Sequence, residues 1–244
     1  MTEYKKQYEG QVYNCVGGRA TVLSYHNAKK VLIRFDDGYE TIVQMGNLKR
    51  GACDNPFRKT VYGVGYNGVG MYSLKSHPLA YKKWAHMMYR CYGEEYTKKK
   101  PTYIDCSVCD EWHNFQNFAQ WFEENLFKGS DIELDKDILV KGNKIYSPKT
   151  CCLVPREINS LFQKKGEDNG LPNGVQQISK DKYRARYGQV HLGVFDNLAE
   201  ASNVYEKYRS ARIKELVVKY QDILKPEVSQ AILDSLEGEK NEQR

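Results

Sequence analysis

Short apolar runs alternate with turn residues along the N-terminal part of the chain. Asp37-Gly38 is the strongest turn signal, because this dipeptide favours a tight hairpin. The pattern predicts a small antiparallel β-barrel within residues 1–60. Its strands are expected at residues 11–16, 20–25, 30–35 and 39–43.

Further along the chain, the spacing of apolar residues becomes typical of helices. The glycine-rich stretch between Gly51 and His77 predicts a loop or an irregular hairpin, since it lacks the Gly-Lys-Ser/Thr ending and the following helix of a phosphate-binding loop. From Pro78 to Tyr92, apolar residues recur near the 3.6-residue period and predict an amphipathic helix. Beyond it the pattern predicts an extended segment at 103–108, a second helix opening at 110–115 with an aromatic face, strands at 132–135 and 138–140, a turn at 141–144, and a helix at 155–162 with Pro155 at its first position.

Residues 170–222 predict three short strands and a long helix. Asn197 is the expected N-cap of that helix, with Glu200 three residues later. One helix stripe would cover the sheet, and it comprises Leu198, Ala201, Tyr205 and Tyr208. Alternation along the middle strand places Lys182, Arg184 and Arg186 on the face opposite Tyr183, Ala185 and Tyr187. These cations form either a solvated face or a row that enters a DNA major groove.

Composition narrows the class of protein. The 244 residues are 41% hydrophobic and 28% charged, with no apolar run long enough to span a membrane. The N-terminus lacks the apolar core of a signal peptide, and the seven cysteines fit a reduced set of thiols, so we expect a cytoplasmic protein. The net charge of +6 is spread over every segment except residues 221–244, which favours a polyanionic partner touched at several places.

The central motifs resemble those of bacteriophage HNH-type homing endonucleases over residues 78–165. The matching segments are Tyr81-x-x-Trp84-x-x-Met87-x-x-Arg90-Cys91-Tyr92, Val108-Cys109-x-Glu111-Trp112-x-x-Phe115-x-x-Phe118, Leu134-Asp135-Lys136-Asp137 and Tyr146-Ser147-Pro148-x-Thr150-Cys151. The resemblance implies a ββα-metal fold that hydrolyses DNA with Mg²⁺ or Mn²⁺, and a phage-encoded protein acting in the bacterial cytoplasm. It places Asp135 and Asn159 as metal ligands.

One position departs from the family. Active members usually carry a histidine base after the motif acid, and here that position is Lys136, which suits a phosphate contact better than a base. His113 or Asp137 could replace the base, and Arg156 could steady a phosphate. A structural zinc site formed by Cys106, Cys109, Cys151 and Cys152 is not favoured, because adjacent cysteines rarely bind one zinc ion.

The C-terminal residues resemble the ethylene-response-factor (Apetala-type) DNA-binding domain. The matching residues are Gly174-Val175, Tyr183-x-Ala185-Arg186, Leu192-Gly193-x-Phe195, Ala199-Glu200-Ala201 and Tyr205. The resemblance implies double-stranded DNA as partner, contacted by Lys180, Lys182, Arg184 and Arg186.

Together these patterns predict an α+β protein in four parts. They are the barrel (1–60), an HNH-like ββα-metal domain with flanking aromatic helices (61–165), a three-stranded sheet plus helix (170–222), and a C-terminal tail (223–244) with a short docking helix. The first functional hypothesis is a metal-dependent, sequence-selective DNA endonuclease. The second is a catalytically silent DNA-binding regulator or phage anti-defence factor, and the third is an inhibitor that binds a host protein through the barrel.

Overall fold

The computed structural model describes residues 7–129, 131–162 and 170–241, with side chains described as far as residue 236 of the last helix. The chain divides into two compact units, residues 1–124 and residues 125–244. Both contain helices and antiparallel strands, in agreement with the predicted mixture of the two. Within the described ranges, no helix combines the length and apolarity needed to cross a membrane.

The N-terminal unit begins with an antiparallel sheet. Its strands follow the order β1-β2-β3-β4 and comprise β1 (Val12–Cys15), β2 (Gly18–Asn27), β3 (Lys30–Phe35) and β4 (Glu40–Val43). The predicted closed barrel is wrong, because the described strands form an open sheet in which β1 and β4 are edges. The helix α1 (Met45–Lys49) covers the core instead, and its Leu48 is fully buried beside Ile33 and Phe35.

Aromatic side chains form the core of the rest of this unit. The indole of Trp84 donates a 2.7 Å hydrogen bond to the Trp112 carbonyl, and the Trp84 and Phe115 rings lie 5.3 Å apart. The elements here are α2 (Pro78–Tyr92), α3 (Glu94–Lys99), a 3-10 helix (Pro101–Tyr103), β5 (Ser107–Val108), a second 3-10 helix (Asp110–His113) and α4 (Phe115–Glu124).

Both predicted helices are therefore present, but the extended segment at 103–108 shrinks to β5. Pro101 fixes the φ angle that starts a 3-10 turn, and this turn occupies the first part of the segment. The loop between α1 and α2 is irregular as predicted, with an isolated bridge between Val61 and Gly65 and another from Tyr66 to Asn114.

The C-terminal unit opens with a strand pair followed by a short helix. Strand β6 (Ile132–Asp135) pairs antiparallel with β8 (Cys152–Pro155), so that Asp135 lies opposite Cys152. The short strand β7 (Ile145–Tyr146) lies between them in sequence, and α5 (Arg156–Asn159) follows β8.

Two local predictions fail here. Residues 138–140 form bends, since the Asp135 side chain binds the backbone N–H groups of Asp137 and Ile138 and turns the chain away from extended geometry. The second strand of the pair is β8. Pro155 is the last residue of β8 and precedes the helix, which ends at Asn159 and so is shorter than the predicted 155–162.

A three-stranded antiparallel sheet in the order β11-β10-β9 follows. Its strands are β9 (Val175–Ser179), β10 (Lys182–Tyr187) and β11 (Val190–Phe195). The long helix α6 (Leu198–Lys219) covers one face, and its Ala201 shares a small core with Val175 and Ala185. The predicted cap is confirmed, because the Asn197 side chain accepts a 2.7 Å hydrogen bond from the Glu200 backbone N–H.

The second half of α6 belongs to a different core. Ile213, Leu216 and Val217 pack with Val154 and Ile158 of the β8–α5 segment. The last helix, α7 (Pro226–Asn241), adds Val228, Ile232 and Leu236, which the sequence assigns to a docking helix. One helix therefore joins the three-stranded sheet to the β6–β8 pair.

Glu157 of α5 reinforces this junction. Its carboxylate accepts 2.6 Å hydrogen bonds from Arg212 and Lys219 and a 2.8 Å hydrogen bond from the Tyr220 hydroxyl. The hydrogen bonds from Lys219 and Tyr220 lower the pKa of Glu157, and the nearby cations lower it further. An ionised Glu157 is thus the form that the fold favours.

We predict that Glu157→Gln destabilises the protein at neutral pH but not in acid. A depressed folded-state pKa contributes stability above the unfolded value of about 4.3, and this contribution is lost as the pH falls below it. Because 36% of the Glu157 side chain is exposed, solvent screening limits the loss at pH 6 to about 1 kcal/mol. Urea unfolding at about pH 6 and pH 3 measures both differences.

Glu215→Gln is the matched control, since Glu215 contacts only the Arg212 end of the network and is 66% exposed. It should change the free energy of unfolding less than Glu157→Gln does at pH 6. Burial raises the pKa of Asp135, so this group lowers the stability of the fold as the pH rises. Both variants keep Asp135, and its effect on the free energy of unfolding therefore cancels when they are compared. An equal Glu157→Gln effect at both pH values would exclude the ionised network as the cause.

Candidate functional site

The sheet β9–β11 has a cationic face that α6 does not cover. Tyr183 and Ala185 pack in the core beneath α6, and the Tyr187 ring contacts Tyr205 and Tyr208 of that helix. The alternate residues of β10 lie on the other face, and they are Lys182, Arg184 and Arg186. The predicted arrangement of this strand therefore agrees with the packing.

Neighbouring side chains orient these cations. Arg184 lies opposite Gln176 in the ladder and donates a 2.7 Å hydrogen bond to its side-chain oxygen. Arg186 donates to the side chain of Gln189 at 3.4 Å, and Lys182 forms an ion pair with Asp196. Arg184 is therefore held by a neutral amide, whereas Lys182 is held by a carboxylate.

Within the described residues, the guanidinium of Arg184 keeps one N–H donor without an acceptor. Its Nε is shielded from solvent and has no hydrogen-bond partner there. Ile178 and Val194 are 45% and 48% exposed on the strands beside β10. The face thus combines cations, an amide and the apolar side chain of Val194, which lies opposite Arg184.

Gly174 fixes this sheet against α6. Its φ of +71° lies in the left-handed region, and a Cβ atom there would stand 2.1 Å from the Tyr205 ring. Its carbonyl accepts a 2.8 Å hydrogen bond from the Arg186 backbone N–H. Only glycine therefore fits at this position.

Lys136 occupies the centre of the loop after β6. Its side chain is 9% exposed, and its ammonium donates to both carboxylate oxygens of Asp137 at 2.8 Å and to the Asn143 carbonyl at 2.6 Å. The Asn143 amide donates back to the carbonyls of Lys136 and Ile145, at 2.9 Å and 2.7 Å. These contacts use the three donors of an ammonium group to close the loop.

Asp135 lies at the end of β6, next to this loop. One oxygen, Oδ1, accepts hydrogen bonds from the backbone N–H groups of Asp137 and Ile138 at 2.7 Å and 2.8 Å. Burial raises the pKa of Asp135 despite these two bonds. Across the strand pair, burial also raises the pKa of the Cys152 thiol, and the negative charge of Asp135 adds to that shift.

The other candidates in this unit are more accessible. Arg156, at the start of α5, and Lys180, between β9 and β10, are exposed. Asn159 is half-buried at the end of α5, and within the described part of the chain its side chain makes no hydrogen bond. Asn159 is therefore available as a ligand, whereas the Asp137 carboxylate is engaged by Lys136.

His113 belongs to the N-terminal unit and holds a local turn. Its Nε2 donates a 3.0 Å hydrogen bond to the Val108 carbonyl, and its Nδ1 lies 3.7 Å from the Asp110 carboxylate. The Val108 backbone N–H donates at 3.0 Å to the Tyr92 hydroxyl. This set of contacts gives His113 a structural role.

The four cysteines considered above as zinc ligands form no disulfide within the described residues. Cys106 and Cys109 lie in the N-terminal unit, and Cys151 and Cys152 lie in the C-terminal unit. Burial raises the pKa of the Cys109 thiol as well as that of Cys152. Over the described ranges, no group of three or more His, Cys, Asp or Glu side chains is placed to hold a metal ion.

The N-terminal sheet has a cavity of about 230 Å³ lined by Gly17, Phe35, Asp36 and Asn55 among others. Its polar groups are already paired, since the Asn55 amide donates to Asp37 at 2.6 Å and Arg58 donates to the Val16 carbonyl. The loop that follows exposes 63% of Val69 and 79% of Met71.

Two residues at these sites were not identified from the sequence. Gln176 lies opposite Arg184, and the alternation of β9 could have placed it on the cationic face once the strand register was known. Asn143 was assigned only to a turn, and nothing in the sequence indicates that its carbonyl accepts from Lys136.

We compared the chain with family models, with curated proteins and with solved structures, and none of these comparisons gives a match. The resemblances to HNH endonucleases and to Apetala-type domains therefore stay predictions.

We predict that Lys136→Met lowers the free energy of unfolding by about 2 kcal/mol. The substitution keeps the buried stem but leaves the Asn143 carbonyl without its donor, while the half-exposed Asp137 can turn to water. Urea unfolding measures the loss. Lys149→Met is the control, because Lys149 is exposed in the turn between β7 and β8 and should change stability by less than about 0.5 kcal/mol. Equal stabilities for the two variants would show that the ammonium does not hold the loop.

Proposed function

We propose that this protein binds double-stranded DNA through the uncovered face of the β9–β11 sheet. The observation that carries the proposal is the placement of Lys182, Arg184 and Arg186 on one strand, on the face away from α6. A row of cations at a spacing of two residues can follow phosphates or enter the major groove.

The polar and apolar neighbours of Arg184 suit base contacts. An arginine can donate two hydrogen bonds to guanine, and a glutamine such as Gln176 can pair with adenine. Val194, opposite Arg184 in the ladder, offers exposed apolar surface for a thymine methyl group. This mixture supports selective binding to base edges in addition to attraction by phosphates.

The contacts of Lys136 favour a binding module over a nuclease that uses this residue. A general base needs a free lone pair within reach of water, and the Lys136 ammonium instead donates to Asp137 and Asn143. Burial and these bonds also argue against a phosphate contact. Lys136 is in our proposal a structural residue, and His113 has local contacts that assign it the same kind of role.

We predict that Arg184→Ala and Arg186→Ala each weaken DNA binding tenfold or more. Loss of a base contact costs about 1–3 kcal/mol, and each lost phosphate contact lowers the salt slope by about one. Fluorescence anisotropy with duplex DNA, at several salt concentrations, measures both quantities.

Lys214→Ala is the matched control. Lys214 is exposed on α6, so the variant has the same change in net charge without altering the sheet face. It should bind DNA within about twofold of the wild type if the effect is local. Equal losses for Lys214→Ala and Arg184→Ala would mean that only net charge matters, and would contradict the proposed interface.

Metal-dependent hydrolysis of DNA is the second candidate, and Asp135 favours it. This carboxylate lies at the end of a strand paired with the strand that leads into α5, and its Oδ2 makes no hydrogen bond within the described residues. A partly buried carboxylate oxygen without a donor fits a hard divalent cation, as does the Asn159 amide oxygen. Mg²⁺ or Mn²⁺, when bound, would supply Lewis-acid stabilisation of the phosphate.

Cleavage of plasmid DNA with Mg²⁺ or Mn²⁺ tests this second candidate. Nicking by the wild type that disappears in Asp135→Asn, while DNA binding is retained, would establish a nuclease. Asp137→Asn is the comparison, since Asp137 is already paired with Lys136 and should affect stability more than cleavage. DNA binding with no cleavage in any variant would leave the binding module as the function.

A further inference from the structure

The N-terminal unit brings two cysteines together from distant parts of the sequence. Cys15 ends β1, and Cys53 follows α1. Backbone hydrogen bonds of 2.9 Å join Val16 to Gly51 and Gly17 to Cys53, so the two segments run side by side. Cys53 belongs to the hydrophobic cluster of this unit, Cys15 packs against the same cluster, and both cysteines are free.

We propose that Cys15 and Cys53 are a redox modification site, which a low-molecular-weight disulfide such as oxidised glutathione converts to an intramolecular disulfide. Because their backbone segments are hydrogen-bonded and their side chains pack in one cluster, the two cysteines are placed where a bridge can form without a large backbone movement. The site is independent of the DNA-binding proposal, because the sheet β9–β11 belongs to the other unit.

The two thiols differ in a way that assigns their order of reaction. Cys15 is half-buried and can meet a reagent, whereas Cys53 is 4% exposed. Burial, with the neighbouring Cys15, raises the pKa of Cys53 to about 11, which disfavours it as the first nucleophile.

The reaction then proceeds in two balanced steps. The Cys15 thiolate attacks one sulfur of oxidised glutathione, and a mixed disulfide forms as one glutathione thiolate leaves. Cys53 gives up its proton to solvent and attacks the Cys15 sulfur, and the second glutathione thiolate leaves. Two protein thiols are oxidised, and one glutathione disulfide is reduced to two thiols.

The bridge would fasten an edge strand to the segment after α1. It closes a loop that contains β2, β3, β4 and α1, which restricts the unfolded chain and stabilises the folded one. Gly17, whose N–H is bound to the Cys53 carbonyl, also lines the cavity with Asn55. Oxidation would therefore stiffen one wall of that cavity.

The test treats the full-length protein with excess oxidised glutathione, alkylates the remaining thiols and maps disulfides by mass spectrometry of peptides. We expect a peptide linked through Cys15 and Cys53 in the wild type and in Cys109→Ser, the control that removes another half-buried thiol of the same unit. Cys53→Ser should accumulate the glutathione adduct on Cys15, and Cys15→Ser should leave Cys53 unmodified.

Thermal unfolding provides a second readout. The oxidised wild type should melt at least about 5 °C above the reduced protein, and a reductant should reverse the shift. Circular dichroism checks that both serine variants fold, and if Cys53→Ser does not, the linked peptide and the Cys15→Ser result still decide. A glutathione adduct on Cys15 that Cys53 never displaces in the wild type, or a linkage of either residue to another cysteine, would overturn the proposal.

Discussion

The C-terminal unit depends on one helix that is shared by two hydrophobic cores. The first half of α6 covers the three-stranded sheet through Ala201, and the second half packs Ile213 and Leu216 against the β8–α5 segment. The core under the sheet is the smaller of the two, and its buried residues are Val175, Ala185 and Ala201. Glu157 strengthens the shared part, since its carboxylate joins α5 to Arg212 and Lys219 of α6.

The shared helix α6 places the two proposed activities at separate sites of the same unit. The cationic face of β10 stays free because α6 is occupied with the opposite face, and the β6–β8 pair stays ordered because its loop is closed from within. The ammonium of Lys136 provides that closure through Asp137 and the Asn143 carbonyl. A buried ion pair with a backbone acceptor stabilises a loop, but it leaves the residue little freedom to act on a substrate.

The sequence was most informative where local chemistry determines structure. Asn197 and Glu200 predicted the start of α6, and the alternation along β10 predicted which side chains face that helix. It was least informative where tertiary contacts decide. The barrel was wrong because α1 covers the sheet, and residues 138–140 are not a strand because a carboxylate three residues earlier binds their backbone. Apolar alternation carries no information about either contact.

Because α6 packs in two cores, the angle about the helix axis between its two apolar stripes is fixed. Each residue of an α-helix turns the chain by about 100°, so a single insertion between Ala201 and Ile213 would rotate one apolar stripe away from its core. Insertions of three or four residues nearly restore the phase and lengthen the helix by about 5 Å. Related chains can therefore vary the spacing between the sheet and the strand pair only in steps of about one helical turn. The length of α6 between the two cores can therefore change during evolution only by about one helical turn at a time.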